Sequence, residues 1–169
     1  SLPKEDWIKL RIFCWMTSFL HFNKLLQIPL IVLSQVYSLP YKELLEVFLI
    51  EDNQQTPLLT NILRLFRKQA SEIQAGGYEY VPSNDWLNIW WPVDEFAFIK
   101  LCYEGSLKHF YEEAEMLLQK YLNKKKLNII PGLLEESMKL NAGMIKLPCQ
   151  ASNVEITTVY NIFDIYTST

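Results

Sequence analysis

Histidine is scarce in this sequence: two copies in 169 residues, His21 and His109. Neither stands near a nucleophile elbow, so no Ser-His-acid grouping can be argued from them. Cysteine is scarce as well. Cys14, Cys102 and Cys149 are far apart, odd in number and without a shared metal-ligand spacing, which excludes a disulfide framework or a sequence-evident metal site. All three have apolar neighbours, so buried thiols in a reducing, cytoplasmic compartment are expected. A basic stripe is missing. The net charge is -3, and the one basic run, Lys124-Lys125-Lys126, reads as a solvated helix end, so nucleic acid is not an expected partner. Long apolar runs are missing too. The stretch from Leu25 to Leu33 is interrupted by Gln27 and Pro29 and is far too short to cross a bilayer. Lys4, Glu5, Asp6 and Lys9 precede it without the cleavage pattern of a signal peptide. Glycine is sparse, and its one pair, Gly76-Gly77, is not a phosphate loop: no Lys-Ser/Thr follows it, and it closes a helical pattern where a phosphate loop would open one.

What the chain has instead is apolar and aromatic mass. Half its residues are hydrophobic and 14% are aromatic, enough for a single core built largely from rings. The periodicity predicts an all-α domain of about six or seven helices with a short extended C-terminal tail. A helical body spans 1–145 and an arm 146–169. Residues 3–27 read as one helix, with Ile8, Ile12, Trp15, Phe19 and Phe22 on one face and Leu10, Phe13, Met16 and Leu20 in a second row. Pro29 should end or kink it. Ser38, with Pro40 behind it, opens a helix to about Leu49. Thr56-Pro57 is a hydroxyl cap followed by proline at the first helical position. It starts an amphipathic helix that Gly76-Gly77 stops. A further helix starts near Pro92, with Asp94 and Glu95 in its first turn. Leu107, Phe110, Tyr111, Ala114, Leu117, Leu118 and Tyr121 give the cleanest period in the chain. On this reading His109, Glu112 and Glu113 form its solvated face, and Glu113→Ala should cost within about half a kcal/mol. Pro131 begins a last helix, and alternation at 154–158 reads as a short strand that must lean on the helical body or another domain.

The most concentrated feature lies between Tyr78 and Phe98, where Tyr80, Trp86, Trp90, Trp91 and Phe96 add five more rings. Rings on a connector either pin it to the core or line a pocket. Trp90, Trp91, Asp94 and Glu95 are therefore the candidate ligand or interface residues. A helical turn here would put Trp86, Ile89 and Trp90 on one face, so Trp90 is expected buried and Trp91 more exposed. The alternative for Asp94 and Glu95 is that they complement a helix N-terminus. His21, among Phe19, Leu20 and Phe22, reads as a hydrogen-bonded packing residue.

The run Gly77-Tyr78-Glu79-Tyr80-Val81-Pro82, then Trp86-Leu87-Asn88-Ile89-Trp90-Trp91-Pro92 and Asp94-Glu95, carries a resemblance. Glu104-Gly105-Ser106-Leu107 leading to Phe110-Tyr111-Glu112-Glu113-Ala114 extends it. So do His21-Phe22-Asn23-Lys24 with Leu26-Gln27-Ile28-Pro29 upstream, and Leu140-Asn141 with Lys146-Leu147-Pro148 downstream. Together they resemble the C-terminal region of bacterial radical S-adenosylmethionine proteins with an N-terminal cobalamin-binding domain, often named Fe–S oxidoreductases. In that family a Cys-x₃-Cys-x₂-Cys loop holds the cluster, and this chain has none. The resemblance therefore implies a non-catalytic C-terminal accessory domain that covers the active site or contributes to substrate binding. Its partners would be upstream domains of the same polypeptide. Iron–sulfur cluster, S-adenosylmethionine and cobalamin would be held there, and no residue here ligates them. A start at Ser1 rather than Met suggests either a tag remnant or a piece of a longer protein. Two other readings stay open: a stand-alone helical protein-interaction module, and a small-molecule-binding helical domain with a pocket near Trp90 and Trp91.

Overall fold

Three phenylalanines from three distant stretches meet at the centre of the molecule. Phe19 packs edge-to-face on Phe66 (5.9 Å between centroids, 88°) and on Phe110 (5.7 Å, 83°). The computed structural model describes residues 2–50, 53–85, 88–147 and 150–168. Among them are eight helices and one small sheet: α1 Lys4–Thr17, α2 Gln27–Tyr37, α3 Tyr41–Glu46, α4 Pro57–Gln74, β1 Val81–Pro82, β2 Trp90–Trp91, α5 Val93–Tyr103, α6 Leu107–Lys124, α7 Leu133–Met144 and α8 Ile162–Thr167. The fold is all-α, as the periodicity predicts. α3 lies within the helix expected up to about Leu49, and the short α8 lies in the C-terminal arm. No single helix among the described residues is long and apolar enough to cross a membrane.

α1 packs on α4, α4 on α6, and α6 on α7, so the apolar stripes of the long helices close one main core around the three rings. A smaller cluster of Ile28, Val32, Leu133 and Ile162 joins α2, α7 and α8. It anchors the C-terminal arm. Residues 154–158 carry no regular secondary structure, so the short strand expected there does not form, and the arm leans on the helical body through contacts of α8 with α2.

The region 3–27 is not one helix. After Thr17 the chain widens into a π-turn, Ser18–Phe22, in which the Asn23 N–H donates to the Ser18 carbonyl five residues back at 2.8 Å. Lys24 then takes a positive φ of 62°, and the chain turns by 95° into α2. Pro29 sits in the first turn of that new helix, where its missing N–H breaks no intrahelical bond. Ser38 does not open a helix. It closes α2 in the left-handed region, and its hydroxyl-bearing neighbour Ser34 bonds the Leu39 carbonyl. Gly76-Gly77 does stop α4. The Gly77 N–H reaches Glu72 O at 2.8 Å and the Gly76 N–H reaches Ile73 O at 2.9 Å, with Gly76 at φ +89°.

Candidate functional site

The aromatic connector is a hairpin. β1 and β2 pair antiparallel, Val81 opposite Trp91 and Pro82 opposite Trp90, and the Ser83 N–H donates to Ile89 O at 3.0 Å. In paired strands successive side chains point to opposite faces. Trp90 therefore turns outward, 51% exposed, and Trp91 turns inward and is half-buried. This reverses the expectation from a helical turn; the strand period governs here. Trp86 lies outside the described residues. Tyr78, Tyr80 and Ile89 are exposed with Trp90, and the Tyr78 and Trp90 rings meet at 5.4 Å. The hairpin is tied down from below: Gln69 Nε2 donates to Tyr78 O at 2.8 Å, and Glu79 pairs with Arg11, whose guanidinium also lies 4.8 Å over the Trp15 ring.

Asp94 is buried and Glu95 is exposed. Asn23 Nδ2 donates to Asp94 Oδ2 at 3.3 Å. Burial pushes the Asp94 carboxyl above its ordinary range, opposed by the N–H groups of Asp94 and Glu95 in the first turn of α5, by Asn23 and by Arg11. Asp94 thus complements a helix start and clips it to the exit of the π-turn. Of the four candidate residues, the fold turns Trp91 and Asp94 inward and leaves Trp90 and Glu95 outside.

Glu113 is the largest correction to the solvated face. It is 2% exposed. Its carboxylate accepts from the N–H groups of Leu58 at 3.0 Å and Leu59 at 2.8 Å, the open amides in the first turn of α4. Thr56 makes no side-chain cap there, so the cap predicted for its hydroxyl is supplied from another helix. His109 stands at the rim, Nε2 3.1 Å from Glu113 and Nδ1 3.5 Å from the exposed Glu112.

Two polar networks carried little signal in the sequence. Asn141, buried on α7, accepts from the Ile28 N–H and donates through Nδ2 to the carbonyls of Lys24 and Leu25 and to the Tyr111 hydroxyl, all within 3.0 Å. It holds the turn between the π-turn and α2. Next to it, His21 Nδ1 lies 2.6 Å from the Tyr41 hydroxyl and Nε2 lies 3.5 Å from Gln27 Nε2, while the Tyr166 hydroxyl donates to Gln27 Oε1 at 3.0 Å. The packing role expected for His21 is what this geometry gives it. Burial holds the His21 imidazole below its ordinary value of 6.5, so the fold favours the neutral ring. Below that value the unfolded chain takes up a proton that the folded chain resists, and stability present at neutral pH is lost as pH falls. Melting between about pH 7.5 and 5.5 should therefore drop more steeply in the native chain than in His21→Gln, and equal slopes would remove His21 from this role.

Cys14 is exposed and Cys102 is half-buried, correcting the expectation of buried thiols; Cys149 lies outside the described residues. Among the described residues no three His, Cys, Asp or Glu side chains converge to hold a metal ion. Compared with protein-family models, with curated proteins and with solved structures, the chain finds no match in any of the three.

Proposed function

We propose that this chain is a non-catalytic C-terminal accessory domain of a cobalamin-dependent radical S-adenosylmethionine enzyme, and that the aromatic hairpin is the face it turns toward the catalytic domains. The observation that carries this reading is the exposed ring pair Tyr78–Trp90 on a hairpin fixed to the core. Segments 77–82 and 88–92, which bear much of the resemblance, supply those rings. Apolar residues in a core repeat for packing reasons alone, whereas grouped rings left in water favour a role in contact with a partner. The iron–sulfur cluster, S-adenosylmethionine and cobalamin would be bound by the upstream domains, and this domain would close over them.

Hydrogen exchange tests the docking. Amides 78–91 should exchange more slowly in the intact enzyme than in this chain alone. Trp90→Ala should leave the melting of the isolated chain within about half a kcal/mol of native while restoring fast exchange in the intact protein. Identical exchange in the two contexts would argue against the reading.

A further inference from the structure

On the side of α2 and α7 against which the C-terminal arm folds is a cavity of about 440 Å³, within the range of small-molecule sites. Its wall is mostly apolar, supplied by Ile28 on α2, Leu140 and Ile145 at the end of α7, and Ile162 on α8. The uncharged polar side chains on the lining are already engaged. Gln27 accepts from Tyr166, Asn141 is saturated by the turn it holds, Thr158 donates to Tyr160 O, and Asn161 caps α8 through the Asp164 N–H. Among the described residues no acidic side chain lines the space, and one basic residue does, Lys24. Lys24 follows the π-turn with a positive φ and is exposed, and no ion pair to its side chain is found among the described residues. An apolar chamber whose described lining includes one basic residue and no acidic one selects by sign as well as by hydrophobicity.

We propose that this cavity binds a small amphipathic carboxylic acid, its hydrocarbon body against the apolar wall and its carboxylate on the Lys24 ammonium. A lone ammonium without an arginine fork beside it suits a single carboxylate better than a phosphate, which draws a cluster of donors. This site is separate from the hairpin, so its failure would leave the docking proposal standing.

The test is calorimetric titration of the chain with decanoate, decanol and decylamine, each below its aggregation concentration. Decanoate should bind most tightly, at least about tenfold tighter than decylamine, because only the acid pairs with Lys24. Lys24→Met, an exposed change that spares the core, should weaken decanoate about fivefold and leave decanol unaltered. Met144→Trp, at an exposed position on the lining, should weaken all three by filling space. Failure of decanoate to bind would overturn the proposal. So would equal affinity of acid and amine, or decanoate binding indifferent to both variants.

Discussion

Leu117→Asp should cost about 4–5 kcal/mol, a large share of a domain's total stability. Leu117 is buried in the main core on α6, one turn beyond Glu113 and two beyond Phe110. An aspartate there would either ionise without a partner in an apolar setting or remain protonated at the cost of its hydration. Chemical denaturation should show a sharply lowered midpoint or a chain that no longer unfolds cooperatively. A midpoint within experimental error of the native chain would mean that this face of α6 is not the core.

Glu113→Ala should cost about 2–3 kcal/mol, where the sequence pattern predicts almost none. The carboxylate accepts from the open N–H groups of Leu58 and Leu59 at the positive end of α4. Removing it leaves two amides without their charged acceptor, and bonds to charged groups are worth more than neutral ones. Glu113→Gln keeps an acceptor oxygen and should recover part of the loss. Glu112→Ala, one residue away and exposed, is the control and should stay within about half a kcal/mol. Equal melting of the alanine variants at 112 and 113 would contradict the cap.

A signal for Glu113 was present in the sequence. It stands three residues after Phe110 and four before Leu117, on the apolar stripe by spacing, and only its charge argued for solvent. Which amides it would meet was not legible, because α4 lies more than fifty residues away. The same separation hid the role of Asn141, whose partners are at Lys24, Leu25, Ile28 and Tyr111. The long helices α4 and α6 were legible because burial repeats along them and Gly76-Gly77 leaves α4 no way to continue. The π-turn was not, since one extra residue in a single turn shifts the apolar period too briefly to stand out from it. Trp90 and Trp91 were misplaced for a related reason. Trp90 and Trp91 lie in a strand, where successive residues face opposite sides, and a helical period applied to a strand exchanges inside for outside.

The central claim is that this chain works as one domain of a larger radical S-adenosylmethionine enzyme. The most direct measurement is the identity of the native polypeptide, captured from its source cells with an antibody against this chain and mapped by mass spectrometry. The account predicts a protein much larger than the 19.9 kDa of this chain, whose upstream peptides include a Cys-x₃-Cys-x₂-Cys loop. A native polypeptide of about this chain's own mass, or a longer one without that loop, would contradict it.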